Sequence, residues 1–245
     1  MKILVCISHV PDTTSRINFI DNNTKFDTAG VQYIIGPYDD YALARAIELK
    51  ESTGSTVHVL NVGLADTEPT LRKALAIGAD EAIRINAEPT DSFFVASQIA
   101  SQAKANGYDL ILMGRESIDY NSGVVHSIVG ELLSLPSVSP VMKLDIEGNK
   151  AKVAREIEGG KEYLEVNLPF VAGCQEPIAE WKIPNMRGIM SARTKPLKVV
   201  EPTTIDGGVK LTKFELPPPK GAVKMVSADK VEELVTLLKN EAKVL

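Results

Sequence analysis

The first half of the chain alternates short apolar runs with longer stretches of helical periodicity. Each apolar run is rich in aliphatic and β-branched residues and is followed by a turn, the pattern of a strand that leads into a helix. The predicted strands cover residues 2–8, 56–62, 82–85 and 110–113. Strands that alternate with helices favour a mostly parallel, doubly wound α/β sheet, in which ligands bind at the carboxyl ends of the strands.

Polar residues and glycines mark where the helices between these strands begin and end. An Asp or Thr side chain can accept a hydrogen bond from a free backbone N–H at a helix start, and glycine readily adopts the backbone conformation that ends a helix. The predicted pairs of start and end are Asp39 or Asp40 with Gly54, Thr67 with Gly78, and Asp91 with Gly107. A further helix is expected to follow residue 123 and to run to Ser134.

From Val141 onward, apolar and polar residues alternate, which predicts antiparallel strands. Glycine-containing turns at Gly148 and Gly159 separate three such strands, at residues 142–146, 152–157 and 162–171. We therefore expect an antiparallel β-meander that is added to the parallel sheet.

The end of the chain is rich in proline. Seven of the fourteen prolines lie between Pro177 and Pro219, which predicts an extended C-terminal arm. Ser227 is then expected to cap a helix over residues 229–243, whose apolar stripe would pack on its own domain or on a neighbour. The stripe consists of Val231, Leu234, Val235, Leu237 and Leu238. The expected domains are 1–195, an α/β unit with the meander, and 196–245, the arm with its helix.

Composition narrows the classes of function. The 245 residues are 44% hydrophobic and 24% charged, which suits one globular core, and the net charge of -5 disfavours binding to nucleic acid. No apolar run approaches the roughly 18 residues of a spanning helix and no signal-peptide pattern follows Met1, so we expect a cytoplasmic location without membrane insertion. Cys6 and Cys174 form neither a disulfide framework nor a CxxC pair, which disfavours zinc and iron–sulfur sites.

Motifs of common catalytic sites are missing from the sequence, which contains no GxGxxG, GxxxxGK[ST], HExxH or GxSxG. The three histidines are far apart in sequence. His58 alternates with apolar residues in a strand and is expected to be structural, whereas His9 and His126 lie near strand-end loops where they could contact a ligand.

The loop after the fourth strand carries the most chemistry. Residues 114–123 concentrate glycine, serine and Arg115 where a strand meets a helix N-terminus. Free backbone N–H groups there favour a phosphate, serine hydroxyls could donate to it, and Arg115 could supply a counter-charge. The alternative is that Asn121 or Ser122 merely caps the helix. Because the loops after the first and second strands reach the same edge, the three loops outline an adenine-nucleotide pocket.

Residues 153–164, continuing to Leu168-Pro169, resemble the signature of the electron transfer flavoprotein beta-subunit family. The resemblance extends over nearly the whole chain. It includes residues 2–5, 36–39, 73–80 and 188–190. It implies a HUP-like α/β fold for a subunit that performs no bond-making chemistry of its own.

The resemblance also implies partners and cofactors. Such a subunit pairs with an FAD-carrying alpha subunit, accepts electrons from acyl-CoA or other flavin dehydrogenases, and passes them to an electron transfer flavoprotein–quinone oxidoreductase or a similar acceptor. A structural AMP would lie in the pocket outlined above. The FAD would belong mainly to the alpha subunit and be shared at the interface.

By matching positions, the resemblance implies nucleotide contacts at the strand ends and along one loop. These are Cys6, Gly36, Pro37, Tyr38, Asp39, Val62, Gly114, Arg115, Glu116, Ser117, Ile118, Asp119, Tyr120, Asn121, Ser122, Gly123 and Val124. The family's usual loop has Lys-Gln after its glycine and a Gln in the next helix, whereas this chain has Arg115-Glu116 and lacks that Gln. The choice between AMP and a second FAD, as in electron-bifurcating members, stays open.

Residues 181–200 form a basic segment with five basic residues and no acidic one. Methionine and isoleucine within a basic collar suit transient docking on an acidic partner. The alternative is a solvated connector whose methionines pack on the core. In the family this segment recognises the dehydrogenase, with Met186 at the apolar anchor position. The residues that the resemblance implies for recognition are Met186, Arg187, Ile189, Met190, Arg193 and Lys195.

Two other classes of function share the same scaffold. One is a nucleotide-dependent enzyme, but the chain has neither an SGGxDS-type pyrophosphate loop nor a Walker motif. The other is a nucleotide sensor similar to universal stress proteins, for which homodimerisation would be expected. The signature around Gly159-Gly160 favours the electron-transfer subunit over both.

Overall fold

A nine-stranded sheet with helices on both faces organises the computed structural model, which describes residues 1–205 and 208–245. The strands are β1 Lys2–Cys6, β2 His9–Pro11, β3 Phe19–Ile20, β4 Lys25–Phe26, β5 Tyr33–Ile35, β6 Thr56–Val62, β7 Glu81–Ile85, β8 Leu110–Gly114, β9 Ser137–Glu147, β10 Lys150–Ile157, β11 Gly160–Asn167, β12 Phe170–Cys174 and β13 Leu197–Val200. The helices are α1 Pro37–Thr53, α2 Glu68–Ile77, α3 Ser92–Asn106, α4 Val125–Leu133, α5 Met186–Ala192 and α6 Val231–Leu237. The predicted α/β fold with a HUP-like, mostly parallel sheet is confirmed.

The order of the strands creates a crevice near the middle of the sheet. The order is β11-β10-β9-β12-β8-β1-β6-β7-β13, and the strands from β12 to β13 all run parallel. The chain leaves β1 toward β6 and β7 and later returns to β8 on the other side of β1. This reversal places a crevice at the carboxyl ends of β1 and β8, where open α/β sheets bind ligands.

Two apolar cores enclose the sheet. On one face α1 and α2 contribute Leu43, Ile47 and Leu71, and on the other face α3 and α4 contribute Ile99 and Val129, all of which are buried. The four predicted parallel strands are confirmed because their apolar residues fill these cores. The first strand ends two residues earlier than predicted, so that residues 7 and 8 already belong to the loop that enters the crevice.

Most helix boundaries follow the predicted residues. Asp91 caps α3, and its carboxylate accepts a hydrogen bond from the Phe94 N–H at 2.8 Å. Thr67 occupies the cap position of α2, but its hydroxyl donates to the Leu64 carbonyl at 2.9 Å and does not cap the helix. Glycines follow α1, α2 and α3, as predicted.

The start of α1 differs from the prediction. Gly36 occupies the cap position and Pro37 the first helical position, so the prediction that Asp39 or Asp40 caps α1 is wrong. Proline suits this position because its missing N–H would have no partner inside the helix. Asp39 and Asp40 lie in the first turn, where a negative charge interacts favourably with the helix dipole.

The antiparallel β-meander is confirmed, since β9, β10 and β11 pair in sequence order. The third predicted strand, 162–171, is wrong as a single element. The chain divides at Pro169, which has no N–H to donate to a ladder, and the second part becomes β12 between β9 and β8. All residues of β12 are buried, as expected for a central parallel strand.

The arm is not extended throughout. Between Pro184 and Pro196 the chain forms α5, which Asn185 caps by accepting the Gly188 N–H at 2.8 Å. Next, β13 pairs in parallel with β7 at the edge of the main sheet. The predicted arm therefore includes one short helix and one short edge strand. The domain division after residue 195 stays a prediction.

The C-terminal helix begins later than predicted. Lys230 holds the cap position of α6, whereas the Ser227 hydroxyl bonds the Asp229 carboxylate, so the prediction that Ser227 caps this helix is wrong. The helix continues as a π-helical turn, Leu238–Ala242. Its predicted apolar stripe is present, but no residue of α6 is buried.

Candidate functional site

A buried carboxylate joins the ends of β1 and β8 at the crevice. Asp39 is 6% exposed. Its Oδ2 accepts the Ser8 N–H at 2.8 Å and the Ser8 hydroxyl, and its Oδ1 accepts the Gly114 N–H at 2.7 Å. Burial raises the pKa of Asp39 to about 6, and the hydrogen bonds from Ser8 and Gly114 oppose that rise. The carboxylate therefore sets the spacing of the two strand ends that line the crevice.

Glycines permit this close approach. A Cβ on Gly114 would lie 2.7 Å from Asp39 Oδ1 and 2.7 Å from Tyr38 Cβ. A Cβ on Gly36 would likewise collide with the Asp39 carboxylate. Residues 36–39, which sequence matching grouped with the 114–124 loop, thus pack directly against the start of that loop.

Arg115 lies beside the crevice and is held by several neighbours. Its guanidinium stacks on the Tyr38 ring, 4.8 Å from the ring centroid, and donates to Gln175 Oε1 at 3.0 Å and Glu116 Oε1 at 3.1 Å. Its Nε is buried without a hydrogen-bond partner among the residues that the structure describes. Gln175, which the sequence did not single out, also donates to Glu156 at 2.6 Å and so connects the loop with β10.

The middle of the loop folds back on itself. The Ser117 N–H donates to the Ser122 carbonyl at 3.3 Å, and Asn121 adopts a φ of 50°, in the left-handed region that Asn tolerates better than most residues. The Ser122 hydroxyl lies 2.5 Å from the Ser92 hydroxyl at the start of α3. Tyr120, at the tip, is 65% exposed. The loop therefore joins the N-terminal ends of α3 and α4.

The helix after this loop starts at its far end. Val124 occupies the cap position of α4 and makes no side-chain capping bond, so the alternative that Asn121 or Ser122 caps this helix is wrong. Ile118 is half-buried, while Asp119 and Gly123 are exposed. Within the described residues, the cap position therefore supplies no side-chain acceptor to the first N–H groups of α4.

The ends of β1 and β6 contribute buried residues. Cys6 and Val62 are 5% and 7% exposed, and burial raises the pKa of the Cys6 thiol. Asn61, 3% exposed, donates its Nδ2 to the Ile7 carbonyl at 2.9 Å, and its Oδ1 has no partner in the described part of the chain. Sequence reasoning missed Asn61. The available signal was a polar residue at the end of an otherwise apolar strand.

His9 lies beyond the end of β1. Its ring stacks on Tyr33 with centroids 4.3 Å apart, and its Nδ1 is 2.8 Å from the Thr70 hydroxyl. These side chains border a cavity of about 380 Å³, to which Asp66 also contributes. Burial lowers the pKa of His9.

The other two histidines have protein partners. His58 Nδ1 is 3.0 Å from the Tyr108 hydroxyl, in agreement with the predicted structural role. His126 lies in the first turn of α4, is 7% exposed, and has its Nδ1 3.0 Å from the Ser127 hydroxyl. Burial lowers the pKa values of His58 and His126.

The basic segment presents a second, exposed surface, which we name the basic apolar face. Its members are Trp181, Ile183, Met186, Arg187, Ile189, Met190 and Arg193. Ile183, Met186 and Met190 are 75%, 74% and 68% exposed, so the alternative that the methionines pack on the core is wrong. Trp181 and Ile183 belong to this face but were not predicted.

Lys195 differs from the other residues predicted for recognition. Its ammonium donates to the Leu75 carbonyl at 2.9 Å and the Ala79 carbonyl at 2.6 Å, at the C-terminal end of α2. Burial lowers its pKa. The Lys195 ammonium therefore bonds the end of α2, and its contact with a dehydrogenase stays a prediction.

Residues 1–205 and 208–245 contain neither a membrane-spanning helix nor a metal-binding cluster. No helix in those ranges is long and apolar enough to cross a bilayer. Within the same residues, no group of three or more His, Cys, Asp or Glu side chains is arranged to hold a metal ion.

Similarity to known proteins extends over the whole chain. Residues 23–205 match the family described as electron transfer flavoprotein domain. A Bacillus subtilis protein named electron transfer flavoprotein subunit beta is 36% identical over 259 residues, which cover 100% of both chains. Relatives of the same name are 35% identical in Syntrophomonas wolfei, over 100% of this chain and 98% of the relative, and 29% identical in Homo sapiens, over 98% and 97%. The chain therefore belongs to the electron transfer flavoprotein beta-subunit family, as the resemblance predicted.

Proposed function

We propose that this chain is the small subunit of a heterodimeric electron transfer flavoprotein. With an FAD-carrying alpha subunit it accepts electrons from flavin dehydrogenases, of which acyl-CoA dehydrogenases are one class, and passes them to a quinone oxidoreductase or similar acceptor. The full-length match to beta subunits carries this proposal. The chain works as an electron carrier and makes no bonds itself. A cytoplasmic location stays a prediction from the sequence.

The crevice between β1 and β8 is the proposed site of a structural AMP. The residues present fit an adenine nucleotide, because Asn61 offers a buried, unpartnered acceptor and Arg115 offers a cation. The uncapped N–H groups at the start of α4 and the Ser117 hydroxyl supply further donors for a phosphate. Since Glu116 already pairs with Arg115, neutral donors would carry much of the phosphate contact.

Two surfaces fit the proposed partners. The apolar stripe of α6, unburied within the described chain, suits the alpha subunit, whose FAD supplies the redox chemistry when it is bound. The basic apolar face suits an acidic, transient partner such as a dehydrogenase, because exposed methionines adapt to different surfaces and cations steer association. The α6 stripe would thus serve stable assembly with the alpha subunit, and the basic apolar face would serve brief contacts with a dehydrogenase.

Mass spectrometry of the small molecules released from the chain, copurified with its natural alpha subunit, tests the proposal. We expect one FAD and one AMP per heterodimer, and reduction of that FAD by an acyl-CoA dehydrogenase. Two FAD per heterodimer would instead identify an electron-bifurcating subunit. Absence of flavin together with ATP turnover would refute the electron-transfer function and favour the nucleotide-dependent enzyme.

A further inference from the structure

The short helix α5 carries its large apolar side chains on the outside. Met186 and Met190 are 74% and 68% exposed, whereas Ala192, at the end of the helix, is 4% exposed. A helix of one or two turns is not stable alone and normally depends on an apolar face that packs on the protein. Since the small Ala192 is the buried apolar residue of α5, apolar packing holds the helix weakly and other contacts must contribute.

Two cations supply those contacts by capping α2 and α5 reciprocally. Arg72, on α2, donates Nη1 to the Ala192 and Lys195 carbonyls, each at 2.8 Å, at the end of α5. In the opposite direction, Lys195 Nζ donates to the Leu75 and Ala79 carbonyls at the end of α2. Each cation satisfies carbonyls that a helix end leaves without a partner, and each lies at the negative end of a helix dipole.

The two helices also meet backbone to backbone. A Cβ on Gly188 would collide with the Ala76 carbonyl, so α5 lies directly against α2. Asn185 caps the other end of α5. These polar and backbone contacts occupy the inner side of α5 and turn Met186, Ile189 and Met190 outward.

We propose that Arg72 and Lys195 are positioning residues that hold α5 ordered, with the basic apolar face turned toward solvent, before a partner arrives. The inference rests on the proposed function, because it assigns a role within dehydrogenase docking. A preordered surface loses less conformational entropy on binding. Loss of the capping cations should therefore weaken docking and leave the flavin chemistry intact.

Hydrogen exchange in the intact heterodimer tests the ordering step. In Arg72→Met and Lys195→Met, amides of residues 186–195 should exchange roughly 10-fold to 100-fold faster, with amides outside α5 and the capped end of α2 unchanged. Trypsin should also cleave faster after Arg187 and Arg193. Arg72→Lys, which keeps one donor group, should restore part of the protection. The matched control is Lys73→Met, which removes a neighbouring charge whose nearest acidic partner is Asp40 at 3.9 Å.

Electron transfer from an acyl-CoA dehydrogenase tests the docking step. The Arg72→Met heterodimer should show a KM for the dehydrogenase roughly 10-fold higher, with kcat and FAD content unchanged. Unchanged exchange over 186–195 would overturn the capping role, and faster exchange with an unchanged KM would overturn the docking role. A wild-type heterodimer that accepts no electrons would refute the proposed function, and the exchange comparison would still decide whether the cations order α5.

Discussion

The helices α1 and α6 both carry apolar residues at helical spacing, yet their surroundings differ. In α1, Leu43 and Ile47 are buried against strands of the same chain, and the carboxylate of Asp39 is buried with them. In α6, Leu234 and Val235 are 42% and 48% exposed, and the helix has no buried residue. Periodicity predicted both helices, but it did not predict what would cover them.

The difference separates two functions of an apolar stripe. Burying one Leu or Val side chain contributes about 1.5–3 kcal/mol, which α1 gains within its own chain. The described chain buries no residue of α6 completely, so part of a comparable gain is available to a partner that covers the helix. Stability of the fold should therefore depend on α1 and its polar contacts, and assembly should depend on α6.

Asp39→Ala tests most directly whether stability of the fold depends on the polar contacts of α1. The change leaves two backbone N–H groups and one hydroxyl without their acceptor at a buried position, and should lower the free energy of unfolding by about 2–4 kcal/mol. Asp40→Ala, one residue along, removes a looser pair with Lys73 at 3.9 Å and should change it by less than about 1 kcal/mol. Urea unfolding of both heterodimers at one protein concentration measures the difference, and equal losses would contradict the assigned role of Asp39.

Gly114→Ala should have the next largest effect. It tests whether the end of β8 packs tightly against the start of α1 at the crevice. The added Cβ would lie 2.7 Å from both Asp39 Oδ1 and Tyr38 Cβ, and should cost about 1–3 kcal/mol of stability and reduce bound nucleotide. The matched control is Gly160→Ala, which lies outside the crevice and whose Cβ would meet no atom within 4 Å. Thermal unfolding and nucleotide content of the two variants would distinguish them. Full nucleotide retention in Gly114→Ala would place the ligand elsewhere.

Elements that depend on local sequence could be predicted, whereas elements that depend on long-range contacts could not. The parallel strands and the helix ends at Gly54 and Gly107 were predictable because periodicity and glycine act locally. The position of β12 was not predictable in this way. Pro169 is a local signal that ends β11, but the place of the following apolar run between β9 and β8 depends on the order of the sheet.

Contacts within the candidate site could also be predicted only in part. Sequence matching grouped Asp39 with Gly114, and the structure brings these two residues into contact. The sequence did not identify Ser8 as the other partner of Asp39, or Gln175 as the partner of Arg115. These contacts join residues far apart in the chain. The same holds for Lys195, which composition assigned to a basic surface and whose hydrogen bonds point inward.

Leu234→Ser combined with Val235→Ser tests whether assembly with the alpha subunit depends on the apolar stripe of α6. Since no residue of α6 is fully buried in the described chain, the double variant should change the unfolding midpoint of this chain little while weakening assembly with the alpha subunit by roughly 10-fold to 100-fold. Glu232→Ser, on the same helix, serves as the control. Analytical ultracentrifugation over a dilution series would measure the association. A lower unfolding midpoint with unchanged association would mean that α6 packs on its own domain.

The smallest effect is expected on the basic apolar face, where charges act through water. Arg187→Gln with Arg193→Gln should slow association with an acidic dehydrogenase by about 3-fold to 10-fold at low salt, because exposed charges mainly steer encounter. The difference should shrink at high ionic strength as the charges are screened. Lys198→Gln is the matched control, since its ammonium already pairs with Glu81 at 2.8 Å. Stopped-flow measurement of flavin reduction would resolve these rates, and an equal loss in the control would mean that net charge, and not this face, guides the partner.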